Sequence, residues 1–141
     1  MRPPRDVRAE LVELDREECL RRLGTQAIGR LAVVVQDQPL VFPVNYALDA
    51  ETVVFRTDSG TKLHGASRGR RVAFEIDGVD PLYHEGWSVL VVGSAEEVTE
   101  PHEVSRLARL PLAPWGTGPK VHWVRVRADA ITGRRLVHRG D

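Results

Sequence analysis

The residues best able to do chemistry in this 141-residue chain gather in Val53-Val54-Phe55-Arg56-Thr57-Asp58-Ser59-Gly60-Thr61-Lys62-Leu63. An apolar, β-rich run ends in Arg56-Thr57, turns through Asp58-Ser59-Gly60, and enters a predicted helix at Thr61-Lys62-Leu63. At such a strand-to-helix corner, free backbone N–H groups and the dipole of the helix N-terminus favour an anion. The hydroxyls of Thr57, Ser59 and Thr61, the Lys62 ammonium and an inward-turned Arg56 form a donor set for the phosphate of a small molecule. The same spacing also fits a plain polar turn in which Ser59 caps the helix. Neither a Walker loop nor a G-x-G-x-x-G is present, so the spacing alone implies an anion and no particular nucleotide.

Other reactive side chains point elsewhere. The five histidines (His64, His84, His102, His122, His138) lack the spacing of metal ligands, and no metal site is expected. Cys19 falls on the apolar stripe of a predicted helix, where core packing is expected rather than nucleophilic chemistry. Glu75 and Asp77 alternate on one face of a predicted strand, as an acid pair, a solvated face or an interface ion pair. Trp87, Trp115 and Trp123 can stack on an aromatic ligand or fill a core or dimer interface.

The elements that must position these groups are mostly strands. Residues 1–10 are polar and rich in Pro and Arg, and read as an N-terminal tail; residues 11–141 read as one domain. Asp15 is a predicted N-cap with Glu18 as capping-box partner and Leu14 and Cys19 as the staple; Gly24 stops that helix. From Ile28 the period becomes that of strands, giving a three-stranded meander over 28–57, with Pro43 marking an edge or a bulge. A short helix from Thr61 to Ser67 follows. Strands are then predicted over 71–77 and 87–98, the second able to bend at Gly93. Thr99 is the predicted cap of a helix from Pro101 to Leu110. The last strand runs over 121–127, and 131–136 form a tail or a final short strand. Six mostly antiparallel strands with two or three short helices make a small β-barrel, because a parallel sheet needs longer helices between its strands.

Composition narrows the function classes. Twenty basic and twenty acidic residues cancel, which disfavours a nucleic-acid binder. No apolar run reaches the ~20 residues of a membrane span, and Met1-Arg2-Pro3-Pro4-Arg5 is not the start of a signal peptide. A single cysteine fits a reducing compartment. A soluble cytoplasmic protein is expected. Lysines are scarce beside arginines, only Lys62 and Lys120 being present, which singles out the lysine in the corner.

Five segments in order extend the corner to most of the chain. They are Gly29-Arg30-Leu31-Ala32, Pro43-Val44-Asn45-Tyr46, Val54 to Leu63, Val72-Ala73-Phe74-Glu75-Ile76-Asp77, and Gly86-Trp87-Ser88 running on to Gly93-Ser94-Ala95. Their order and spacing over residues 15–127 resemble the pyridoxamine 5'-phosphate oxidase-like family. The resemblance implies an FMN-binding split β-barrel that pairs as a homodimer, with FMN in clefts at the dimer interface; some relatives use the deazaflavin F420 and a few bind haem. By position, it implies that Pro43, Val44 and Asn45 lie along the isoalloxazine. Arg56, Thr57, Ser59, Thr61 and Lys62 would hold the phosphate. Trp87 and Ser88 would approach from the long strand, of the same or the partner subunit, and Trp123 and Arg125 are candidates by region alone. No Arg-x-His pair stands near the C-terminus to hold a pyridoxal phosphate substrate, so vitamin B6 oxidation is not implied; the likeness is to small actinobacterial-type members and nitroimidazole reductases. The expected function is a flavin-dependent oxidoreductase acting on a small organic acceptor, or a non-catalytic flavin, F420 or haem carrier or sensor.

Overall fold

The computed structural model describes residues 8–60, 65, 66, 69–112 and 122–139. Eight strands and two helices follow in the order β1 (Arg8–Leu14), α1 (Arg16–Leu23), β2 (Ile28–Val35), β3 (Gln38–Asn45), β4 (Ala47–Asp49), β5 (Thr52–Thr57), β6 (Arg70–Asp80), β7 (Glu85–Val98), α2 (Pro101–Leu107) and β8 (His122–Arg139). All pairings are antiparallel. The strands form one sheet in the order β3-β2-β6-β7-β8-β5-β4, with β1 on β8. Only Tyr46 separates β3, at one end of this order, from β4 at the other, and β3 touches β5. The sheet therefore curls into a barrel that backbone hydrogen bonds do not close: a split barrel.

β8 organises the sheet. It pairs with β7 from Trp123 to Leu136, while its other edge takes β5 over His122–Val126 and β1 over Gly133–Arg139. The expected break between residues 127 and 131 is therefore absent, and eight strands replace the predicted six. Residues 8–10, expected in the tail, belong to β1. That strand buries little (Leu11 is 61% exposed) and is held by its ladder to β8 rather than by an apolar face, so no hydrophobic pattern marks it in the sequence.

The local predictions that rest on short-range hydrogen bonds hold in part. Asp15 caps α1, its side chain accepting from the Glu18 N–H at 2.8 Å. The reciprocal half of the capping box does not form, because the Glu18 carboxylate accepts from Arg21 and Arg22 instead. Those two guanidiniums hold its carboxyl down to about 2. At α2 the cap is Glu100 and not Thr99; its carboxylate accepts from the N–H groups of His102 and Glu103, the longer side chain satisfying two free donors at once. Pro43 lies on the edge strand β3 as expected. The predicted bend at Gly93 is a register shift between Val92 and Gly93; a Cβ at Gly93 would stand 1.8 Å from the Arg127 carbonyl oxygen.

Inward-facing residues such as Leu31, Val53, Phe55, Phe74, Ile76, Val89, Val91 and Val124 fill the barrel, and α1 closes it with Cys19 and Leu23. Cys19 is fully buried and burial pushes its thiol up, in keeping with core packing. A second cluster of Val54, Val98, Leu107 and Trp123 lies under α2. Both faces of β5 are thus covered except at Arg56, which emerges one residue before the strand ends. Arg106 fixes α2 to the sheet through two 2.7 Å bonds to Asp49, and Arg125 donates to Glu103 at 2.7 Å.

Candidate functional site

The polar corner sits where β5 leaves the sheet opposite the start of β8, with Thr57 paired to His122 and Arg56 to Trp123. Alternation decides which side chains are offered. Val53, Phe55 and Thr57 point into the barrel, so Thr57 is buried, and its hydroxyl donates to the Asp58 carbonyl at 3.3 Å. Arg56 points outward, its guanidinium 5.1 Å above the Trp123 ring, and it makes no ion pair among the described residues. Ser59 is exposed, and Gly60 has φ +150° with nothing within 4 Å of where a Cβ would stand. A guanidinium stacked on an aromatic face, lacking a carboxylate partner and next to an exposed hydroxyl, suits a phosphate oxygen. Thr61 and Lys62, with the helix predicted from Thr61, lie outside the described residues except for buried Gly65 and Ala66.

Two residues that sequence reasoning passed over complete the corner. The Ser59 hydroxyl is 3.1 Å from His122 Nε2, and His122 Nδ1 is 2.6 Å from Glu97 Oε2. His122 and Glu97 are drawn from β8 and β7, 63 and 38 positions from Ser59. No short motif could reveal them, since only the register of three strands brings them together.

The other predicted site residues fall into two groups. Pro43, Val44 and Asn45 end edge strand β3; Val44 is buried, Pro43 is exposed, and Asn45 Nδ2 donates to the Ala27 carbonyl at 3.4 Å. They lie close to the corner in the topology: Ala47 opposes Val54, so two residues further along each strand come Asn45 and Arg56. Trp87 and Ser88 are elsewhere. They begin β7, whose other end, Val98, pairs with Trp123 beside the corner; across the sheet, Asn45 opposes Ile28 and Asp77 opposes Ser88, so three strand spacings, roughly 15 Å, separate Ser88 from Asn45. The Trp87 ring carries the Arg22 guanidinium 4.9 Å above it and lines a cavity of about 250 Å³ with Gln26, Val79, Asp80 and Arg135. Gly78 is required there, as a Cβ would stand 2.5 Å from the indole Nε1.

Of the regional candidates, Trp123 is a core residue under Arg56, and Arg125 is structural, paired to Glu103 with its Nε buried and unpartnered. Trp115 lies outside the described residues. Glu75 and Asp77 share one guanidinium nitrogen, Arg30 Nη1, at 3.1 and 3.0 Å. Burial, then the neighbouring Asp77, raises the Glu75 carboxyl. This is an ion-paired strand face. No three His, Cys, Asp or Glu residues gather as a metal site among the described residues, and no helix there is long and apolar enough to cross a membrane.

Fold and corner together define a class: a split antiparallel β-barrel with an outward-facing cationic and hydroxyl-lined corner at the end of one strand. Residues 15–135 match the family model of pyridoxamine 5'-phosphate oxidase, and the chain belongs to that family. It is 38% identical over 133 residues to an uncharacterised protein of Mycobacterium tuberculosis, covering 91% of this chain and 87% of the relative. Among solved structures, the FAD binding protein from Mycobacterium smegmatis is 40% identical, with a TM-score of 0.75 over 88% of this chain and 98% of that one. A conserved protein of unknown function from Corynebacterium diphtheriae is 34% identical, with a TM-score of 0.76 over 90% and 98%.

Proposed function

We propose that this protein binds a flavin nucleotide by its phosphate at the β5 corner and acts as a flavin-dependent oxidoreductase on a small organic acceptor. The observation that carries the reading is the Arg56 guanidinium, stacked on Trp123 without a carboxylate partner among the described residues and beside the Ser59 hydroxyl, in a chain 40% identical to a FAD-binding protein. Arg56, Ser59, Thr61 and Lys62 hold the phosphate, while Thr57, expected to join them, is turned into the barrel. Pro43, Val44 and Asn45 line the isoalloxazine along β3. FMN is the assigned cofactor, since one guanidinium, one ammonium and neighbouring hydroxyls match a single terminal phosphate; FAD is the alternative that the Mycobacterium smegmatis relative raises. When bound, the flavin supplies hydride and electron transfer, while the protein supplies binding, orientation and electrostatics.

The working unit is a homodimer. Trp87 and Ser88 stand at the opposite end of β7 from the residue that pairs with Trp123 beside the corner, and they approach the flavin held by a second copy. The exposed Val34 and Val41 of β2 and β3 give that copy an apolar surface to cover.

The visible spectrum of the purified or FMN-reconstituted protein tests the reading. A flavin profile, with the released cofactor identified as FMN or FAD by chromatography, supports it. A Soret band assigns haem instead, and a colourless protein that takes up neither flavin refutes it. Arg56→Ala and Lys62→Ala should each weaken FMN far more than riboflavin, by the roughly 1–3 kcal/mol of a charge-assisted bond; equal losses would remove the phosphate from the corner. Turnover of NAD(P)H or reduced F420 with an acceptor separates an oxidoreductase from a carrier.

A further inference from the structure

We infer that Glu97 and His122 form a proton relay behind Ser59 that couples binding of the cofactor phosphate to uptake of a proton. This deepens the proposed flavin site and rests on it. The chain of contacts is short and has one sense. Glu97 Oε2, 2.6 Å from His122 Nδ1, is an acceptor and so fixes the Nδ1 proton in place. Nε2, 3.1 Å from Ser59 Oγ, is then the only ring position whose protonation can change.

The two states of Nε2 do opposite things to the corner. With Nε2 bare, the Ser59 hydroxyl must donate to it, and Ser59 turns oxygen lone pairs toward an arriving anion. With Nε2 protonated, the imidazolium donates to Ser59 Oγ. The hydroxyl proton is then free to point outward and donate to a phosphate oxygen, and a positive charge stands behind it. The phosphate favours the protonated ring, and by linkage the protonated ring favours the phosphate to the same degree.

His122 is half-buried, with about a quarter of its side chain exposed, so a proton can reach it. The charged groups beside it among the described residues are Glu97 from β7, which favours the imidazolium, and Arg56 and Asp58 flanking its partner Thr57 on β5, which oppose one another in sign. Glu97 and His122 are positioning residues here: they act on the ligand through Ser59.

The test compares FMN with riboflavin, which lacks the phosphate, in the wild type and His122→Gln. FMN binding to the wild type should tighten roughly tenfold from pH 8 to pH 6 beyond any change seen in His122→Gln, a full proton of linkage being tenfold per pH unit. Calorimetry in two buffers of different ionisation enthalpy should show the wild type taking up more protons with FMN than the variant does. The FMN phosphate's own ionisation is common to both and cancels. Riboflavin should show no difference between the two proteins. Glu97→Gln should reduce the pH slope. Should His122→Gln fail to fold, imidazole ¹⁵N shifts of the wild type decide: FMN must move the His122 Nε2 signal toward its protonated value, and an unmoved signal overturns the relay. FMN binding with the same pH slope and proton count in both proteins also overturns the relay and leaves the flavin site standing. Failure of FMN and FAD to bind at any pH overturns both.

Discussion

Tyr46→Phe isolates one hydrogen bond that joins the helix to the barrel directly behind the Pro43-Val44-Asn45 segment. The Tyr46 hydroxyl donates to the Leu23 carbonyl at 2.5 Å, satisfying an orphan acceptor at the end of α1. The ring is 4% exposed and meets Phe74 edge-on at 4.8 Å. Phenylalanine keeps that packing and leaves only a buried carbonyl without its donor, so the loss should be about 1–3 kcal/mol. At neutral pH this lowers the urea midpoint by about 1 M for a slope near 1.5 kcal/mol/M. The gap should then change with pH in a known direction. Burial raises the Tyr46 phenol from 10 to about 12, so above pH 10 the unfolded chain loses this proton while the native protein keeps it. Wild-type stability therefore falls through this group, by about 1.4 kcal/mol at pH 11 and about 2.3 at pH 12. The variant has no phenol there, so the gap between the two stability curves should shrink steadily above pH 10, by about 1.4 kcal/mol at pH 11; titrations common to both proteins cancel. Urea melts of both proteins from pH 8 to pH 12 measure this. A gap below about 0.5 kcal/mol at pH 8, or one that stays constant above pH 10, would refute the reasoning.

Further outcomes follow from the same geometry. Gly93→Ala drives a methyl to within 1.8 Å of the Arg127 carbonyl oxygen; as backbone cannot rotate away, Tm should fall steeply, with little folded protein recovered. Gly78→Ala should displace the Trp87 indole, whose Nε1 lies 2.5 Å from the added carbon, shifting tryptophan emission while the far-ultraviolet spectrum of the barrel is retained. Arg125→Met removes a guanidinium whose Nε is already buried without a partner, and Glu103 keeps Arg106, so urea unfolding should change by no more than about 1 kcal/mol. Arg106 and then Arg125 hold the Glu103 carboxyl at about 2 against an ordinary 4.5. The stability from that pair is present above pH 4.5 and is lost as pH falls toward 2, so acid titration should show a loss over that window that Glu103→Gln lacks.

What sequence alone determined about this protein was local or repetitive. Asp15 could be read as a cap because its acceptor lies three residues from the N–H it receives. The β5 corner could be read as an anion site because hydroxyl, glycine and cation adjoin one another. The split barrel was legible through five segments whose order and spacing are those of a family, and Pro43 announced an edge because proline cannot donate to a ladder. Tertiary structure decided whatever depends on pairing between distant strands. β1 carries no apolar face, and β8 reads as two pieces around Asp129; both exist because β7 and β8 supply hydrogen-bond partners from far along the chain. Thr99 was displaced as a cap because a longer neighbour reaches two donors. Register alone placed His122 and Glu97 behind Ser59, and it set Trp87 and Ser88 at the end of β7 away from Val98 and Trp123. A backbone bond between strands fixes side-chain neighbours that no spacing along one strand encodes. The residues of the proposed corner adjoin one another along the sequence, whereas His122 and Glu97 behind them do not.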